Sequence, residues 1–535
     1  MKRTKFGLVA VAIVSVLALS ACTGGGGGSD NAGSSDGATG ALSVGVTDPI
    51  NIIPGRQTVA YDFSMAVWAP LTFVDAAGEL TYVAAESIET TDSTTYTITL
   101  REGWTFHDGT PVTAQDYVDS WNAVAYGPNA FENSGQLARI QGFDEVTSAS
   151  PVETMSGLGV IDDLTFTVTL MGPDSQFPMQ VSQGQTAMYP MPKSALEDFD
   201  AYNKHPVGNG PFEMVGEYSE MDPIEVTAYA DYKGDAPTVD KITFVPYADV
   251  NTAYNDVLAG NLDVASLPAG KMAQAATDFT EDHIYAFSAP GISFLGMPTW
   301  DERYADIRVR QAISMAIDRD AINDVIYGGL YVPANAFTPE IELGTPVGIC
   351  GEYCEFDPAK AKALLAEAGG FEGTMEIYFP GASGLDEFYI AIANSIRQSL
   401  GIEAVAVPSS DWAEFYQTRM DKKVPGPYFS RWGALYPSQQ ATLRALFVEG
   451  GGCTNCIAEY DPQVAALMNE ADAAVAEEDV AAAYKAVQDR LMETFPVPPL
   501  FQESYAYVTS DRVETLSTSA AGNPFYSMTV LVDGE

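Results

Sequence analysis

From Thr95 to Leu100 the chain alternates threonine with Tyr96, Ile98 and Leu100, the period-two pattern of a half-buried strand. Arg101–Gly103 then reads as a turn and Trp104–Phe106 as a short second strand. Asp108–Pro111 reads as a turn whose glycine tolerates positive φ. Thr113 is placed to cap a helix with Asp116 three residues on, and Tyr117, Val118 and Trp121 follow at helical spacing. His107 beside Asp108 has no further ligand at metal spacing, so this pair reads as part of the turn.

The same reading extends along the chain. Leu42–Val46 is a short alternating strand, and Pro54-Gly55 precedes a helix carrying Phe63, Val67, Trp68 and Leu71. A strand is expected at 164–170. The Gly/Asn-rich loop before it, Tyr126–Gly135, holds Tyr126 and Phe131 as packed or pocket-lining aromatics. A short helix from Ser194 and a turn at Pro206–Pro211 lead to strands around Ile224–Tyr229 and Ile242–Val245 and a helix at Val250–Leu258. A second unit starts near Ile292. It has a helical run Ile307–Ile326, a helix Ala359–Ala368, a strand Met375–Phe379, a helix Glu387–Leu400 and a strand Glu403–Val407. Gln463–Thr494 is Ala-rich with apolar residues at three- and four-residue steps, which predicts one or two amphipathic helices. The end of the chain reads as strand and loop. Such alternation specifies an α/β fold with a partly parallel sheet under helices. No internal repeat is visible.

With 535 residues, 46% of them hydrophobic, the chain can bury large cores and by length holds two to four domains. Its 26 basic against 72 acidic residues give a formal charge of −46. That excludes nucleic acid as a partner, because such binding rests on Lys and Arg neutralising phosphates. An acidic surface of this kind keeps a protein soluble, and a monomer is expected.

The N-terminus changes the picture. Lys2, Arg3 and Lys5 precede an apolar run, Phe6–Ala18, too short for a comfortable membrane span, so residues 1–21 read as a signal peptide. Leu19-Ser20-Ala21-Cys22 resembles the lipobox of bacterial lipoproteins, which implies cleavage before Cys22, diacylation of its thiol and an extracytoplasmic protein anchored to the cell membrane. Residues 22–40 complete a lipidated tether: Thr23–Gly40 is Gly/Ser-rich, with an r.m.s. span of roughly 20–25 Å by flexible-chain scaling.

The other four cysteines form two close pairs, Cys350 with Cys354 and Cys453 with Cys456. Each pair could close as a local disulfide in an exported protein. Four cysteines allow three pairings, and a four-cysteine zinc site is the rival. Only His107, His205 and His283 are available as histidines, and there is no HExxH, no Gly-x-Ser-x-Gly and no phosphate-cradling loop. Nothing here calls for catalysis, a bound metal or a cofactor.

Rigid aromatic faces concentrate in Asp411–Tyr416 and Phe429–Pro437. Trp412 and Trp432 offer stacking surfaces, and the planar fork of Arg431 could pair with a ligand carboxylate.

Several motifs taken together carry a specific resemblance. They are Tyr96–Trp121, His205–Phe212, Val239–Phe244, Asp306–Ala312, Ala316–Asp320 and Phe356–Leu365. In this order the chain resembles the family 5 extracellular solute-binding proteins, the peptide- and nickel-type receptors of ABC importers, over almost all of its length after residue 41. The resemblance implies a two-lobed clamshell of the periplasmic-binding-protein type with an extra subdomain inserted in the first lobe. Residues 41–290 would form the first lobe with the insertion at about 71–185. Residues 291–500 would form the second lobe, and 501–535 would return to the first. The implied partners are a small-molecule or peptide ligand and the permease of an ABC importer.

By the same resemblance, Thr58–Tyr61, including Val59 and Tyr61, lies near the ligand cleft, and Trp432-Gly433-Ala434-Leu435-Tyr436 matches the family's cleft segment. Peptide-binding members commonly carry Asp immediately before this tyrosine, where it meets the ligand's ammonium; this chain has Leu435. A buried ammonium without a carboxylate costs several kcal/mol, by order of magnitude. An oligopeptide is the leading cargo. An oligosaccharide or metal chelate is the alternative, and an exported enzyme or adhesion scaffold on the same fold is the reading from another class.

Overall fold

Two long strands, Ile284–Gly296 and Pro499–Thr509, pair antiparallel near the middle of an eleven-stranded sheet and run between separate cores. The computed structural model describes residues 40–75, 78–182, 188–453, 455–519, 522, 524 and 526–532; the expected leader, Cys22 and most of the tether lie outside them.

On one side of the long pair the sheet continues through Tyr428–Gly433, Met375–Phe379 and Ala404–Pro408. On the other side it continues through Val264–Ser266, Ala41–Val46, Lys241–Pro246, Ile224–Ala228 and Phe212–Val215. Ala41–Val46 runs parallel to Lys241–Pro246, and Met375–Phe379 parallel to Ala404–Pro408, so the sheet is mixed as the alternation of elements predicts. A separate antiparallel sheet joins Ala85–Glu89, Thr95–Leu100, Thr165–Thr169 and Leu158–Asp162.

The long pair changes register where it leaves one core for the next. Ser288 faces Ser504, but the next partners are Ile292 and Gln502, so Ala289, Pro290 and Gly291 stand opposite Glu503 alone. Pro290 has no N–H to give a ladder, and the irregularity falls on it. Side chains of Phe501, Glu503, Tyr505 and Tyr507 share one face of their strand by its period of two. Phe501 belongs to the core with Tyr304, Ile313, Phe379 and Tyr389, whereas Tyr507 belongs to the core with Trp68, Trp121, Phe166 and Phe244. A third core, around Ile292, Phe337, Leu443, Val464 and Leu491, takes up all four described cysteines.

Most expected elements are present. The helix Ala114–Ala125 is capped by Thr113, whose backbone N–H donates to Asp116 at 2.8 Å while the Asp116 N–H donates back to its hydroxyl. The Gln463–Thr494 region resolves into two helices, Pro462–Ala473 and Glu477–Thr494. Three expectations differ. Trp104–Phe106 makes only an isolated bridge, Thr105 with Pro111, because Trp104 and Phe106 turn into the first core and leave no ladder. The first helix stops at Val67, so Trp68 is extended and Leu71 lies beyond it; Pro70 disfavours helix in the residue before it. The run Ile307–Ile326 breaks after Met315. The Ala316 carbonyl is taken by the hydroxyls of Ser395 and Ser399, Asp318 caps a new short helix Arg319–Ile322, and Asn323–Tyr327 widens into a π turn ending at Gly328.

The Pro206–Pro211 turn is pressed against the first helix. A Cβ on Gly208 would stand 2.0 Å from the Val67 carbonyl oxygen, so only glycine fits. His107 lies on this turn. Its ring bonds the Gly210 carbonyl at 3.2 Å and accepts from the Gly208 N–H at 3.2 Å, and burial pushes its pKa down to about 4. The turn reading of His107 and Asp108 therefore holds.

Candidate binding cleft

The strand Tyr428–Gly433 carries the expected binding residues on both of its faces. Phe429, Arg431 and Gly433 point one way; Ser430 and Trp432 point the other. Trp432 packs against the third core and its indole N–H donates to the Ala441 carbonyl at 2.8 Å. Trp412 opens the helix Trp412–Met420, which Asp411 caps, and packs edge-on against Phe429 with centroids 5.3 Å apart. It stacks on Tyr416 and remains 39% exposed. The two tryptophans therefore serve opposite faces of the strand.

Arg431 is engaged within the protein. Its Nε and Nη2 donate to the two carboxylate oxygens of Glu503, a fork-on-fork pair. Glu503 is 6% exposed at its side chain and Arg431 44% exposed, so the carboxylate is covered and the guanidinium is half in solvent. Burial alone would pull Arg431 down, but its bonds to Glu503 outweigh that and hold the guanidinium above its ordinary value. Glu503 stands opposite the Pro290 irregularity, 72 residues from Arg431, and no local pattern in the sequence marks it.

Past Gly433 the chain leaves the sheet. The Ala434 N–H donates to the Pro290 carbonyl at 2.7 Å, Gly433 is exposed, and Leu435 is 40% exposed. Tyr436 turns away from the strand and packs with Val74, Leu80 and Met179. Its hydroxyl donates to Gln440 Oε1 at 2.6 Å, and beside it lies a cavity of about 170 Å³ whose walls include Trp121, Arg139, Phe177, Gln180 and Met188. Ser438 then caps the helix Gln439–Phe447.

Val59 and Tyr61 are carried by a loop against the first core. Gln57, 2% exposed, donates its side-chain amide to the carbonyls of Val59 and Ala60 at 3.1 and 2.7 Å, which holds Ala60 at φ 54. Val59 is 37% exposed; Tyr61 is half-buried and its hydroxyl donates to the Thr58 carbonyl at 2.6 Å. Asp62 follows, and burial pushes its carboxyl up to about 7.

Cys350 stands beside Cys354 and Cys453 beside Cys456, with Cα atoms 5.6 and 5.5 Å apart, so the thiols meet in the two local pairs.

Residues 79–452 match the profile of the bacterial extracellular solute-binding proteins, family 5. Over 98% of its length the chain is 24% identical to 99% of the oligopeptide-binding protein OppA of Bacillus subtilis. It is also 27% identical to the periplasmic murein peptide-binding protein MppA of Escherichia coli over 79% of this chain and 80% of that one. The fold is similar to that of an unliganded open form of a murein tripeptide-binding protein MppA, with a TM-score of 0.82 at 22% identity over 92% of this chain and 97% of the other.

Proposed function

Since the chain belongs to the family 5 bacterial extracellular solute-binding proteins, and is thus a binding protein rather than an enzyme, we propose that it is a lipid-anchored receptor that captures an oligopeptide between two lobes for an ABC importer. Residues 41–290, with the insertion at about 71–185 and the return 501–535, form one lobe, and residues 291–500 form the other. Cys22 is the lipid anchor, and the two local cysteine pairs are oxidised outside the cytoplasm.

The observation that carries this reading is the face of the strand Pro499–Thr509. Between Phe501 in one core and Tyr507 in the other, Glu503 and Tyr505 span a stretch packed into neither, and Tyr505 is 40% exposed. Arg431 and Gly433 flank the same stretch, giving a ligand an exposed strand end, an aromatic ring and a charged pair. A solute touching both sides favours the closed arrangement by its extra contacts there, and that differential binding is what shifts the population. Main-chain bonding at the exposed Gly433 and Leu435 would read a peptide backbone with little demand on its sequence.

The names of OppA and MppA support a peptide cargo. Leu435 favours the second reading, a sugar or metal chelate, because no carboxylate stands at that position for an ammonium group.

Thermal unfolding of the purified protein with oligopeptides, oligosaccharides and nickel chelates separates the two. Peptides at a hundred times Kd are expected to stabilise it by about 2.7 kcal/mol. Stabilisation by sugars or chelates alone would remove the peptide assignment.

A further inference from the structure

One side chain joins the candidate cleft segment to two distant parts of the molecule. Gln440, 2% exposed, uses all four hydrogen-bonding positions of its amide. Its Nε2 donates to Asp174 Oδ1 and to Asp472 Oδ1, each at 2.7 Å. Its Oε1 accepts from the Tyr436 hydroxyl at 2.6 Å and from Gln180 Nε2 at 3.2 Å. Asp174 and Gln180 come from the segment that follows the four-stranded sheet; Asp472 comes from the helix Pro462–Ala473.

Each carboxylate is also neutralised on its own side. Arg139 meets Asp174 at 2.8 Å and Arg444 meets Asp472 at 2.5 Å. Other bonds across the contact also use uncharged donors: Ser438 to Gln176 at 2.6 Å, Gln180 Nε2 to the Tyr436 hydroxyl at 3.4 Å, Ser175 to the Asp472 and Ala471 carbonyls at 2.9 and 3.0 Å, and Ser93 to the Ala474 carbonyl at 2.9 Å. Parting the two sides would leave both ion pairs intact and hand the freed polar groups to water, while uncovering the ring of Tyr436 from Val74, Leu80 and Met179. Such a contact opens without the cost of stranding a buried charge. An ion pair shared across the gap would lack that property.

We propose that Gln440 is a positioning residue that couples the candidate cleft segment to this contact: it fixes Tyr436, and through it the segment Gly433–Leu435, whose Gly433 and Leu435 are exposed, only while Asp174 stands beside Asp472. The link to ligand capture rests on the proposed receptor function; the coupling itself is a property of the ligand-free protein. Gln440 thereby makes the order of residues 433–436 depend on whether the segment bearing Asp174 is engaged.

Replacing the amide by a carboxyl tests this directly. In Gln440→Glu both donors are lost, and a third carboxylate faces Asp174 and Asp472. Arg139, Arg444 and the phenols of Tyr436 and Tyr484 are the other ionisable groups at the contact. Hydrogen–deuterium exchange of the ligand-free protein is read against wild type at the same pH. At pH 8, peptides covering 433–438 and 174–182 should both exchange about tenfold faster in the variant, and the difference from wild type should narrow as pH is lowered to 5, because a protonated carboxyl regains one of the two lost donors. Tyr436→Phe removes one hydroxyl and serves as the mild variant: 433–436 should speed up while 174–182 stays protected. Unchanged exchange at 433–438 in both variants, or a loss confined to the helix Gln439–Phe447, would overturn the proposal. Because no ligand is used, this outcome is independent of whether the wild type binds peptides.

Discussion

Arg431 is clasped by Glu503: both carboxylate oxygens receive guanidinium N–H groups, with the acid covered and the base half in solvent. The cation that stands out in the sequence beside Trp432 is therefore paired from within, by a residue on the strand that crosses between two cores.

Removing the base alone should be costly. Arg431→Met leaves a covered carboxylate without its partner, for an expected loss of about 1–3 kcal/mol in chemical denaturation, between the values for exposed and buried pairs. Arg431→Met with Glu503→Leu should recover much of that loss, a coupling that a double-mutant cycle reads directly. Additive losses would show that the pair contributes little.

The two tryptophans should behave differently. Trp432 packs on the third core and spends its indole N–H on Ala441, so Trp432→Ala should destabilise the protein by about 2–4 kcal/mol. Trp412 is 39% exposed, and Trp412→Ala should cost less than about 1 kcal/mol while weakening ligand binding. Equal stability losses would contradict the placement on opposite faces.

Two buried groups set opposite slopes of stability with pH. His107 has its pKa lowered to about 4 from 6.5 by burial, so the unfolded chain binds its proton first; the stability it contributes is complete above pH 6.5 and lost as pH falls toward 4. Glu342, fully buried with Oε2 unbonded among the described residues, has its pKa raised well above 4.5 by burial, and Thr442 only partly offsets this. The folded state there holds the proton more tightly, so stability declines as pH rises above 4.5. Glu342→Gln should remove that decline and raise the melting temperature at pH 8. His107→Gln should flatten the acid limb. Parallel curves for variants and wild type would rule out these assignments.

Cys22→Ala should move the protein from the membrane fraction to the medium or periplasm. Retention in the membrane fraction would count against lipidation.

The local elements were legible because their signals are local. The Thr95–Leu100 alternation, the Thr113–Asp116 cap and the helix Val250–Leu258 each lie within a dozen residues and needed no partner to be read. The break after Met315 was hidden because its cause is Ser395 and Ser399, some eighty residues on, competing for one carbonyl. The candidate cleft segment stands out in the sequence through its aromatic residues and its family resemblance. Glu503 and the Gln440 junction do not, since Gln440 bonds Asp174 across 266 positions and a lone Gln or Glu carries no spacing signal. Periodicity likewise says which residues alternate on a strand, not which face meets a core, and so nothing in the sequence marks Trp432 as the side that faces the third core.

Native mass spectrometry of the protein as purified from its own cells addresses the central claim most directly. A retained oligopeptide, released on denaturation and exchangeable for added peptides, is the result the account predicts. A retained sugar or metal chelate, with no mass shift on adding peptides, would contradict it and would make Leu435 the mark of a different cargo.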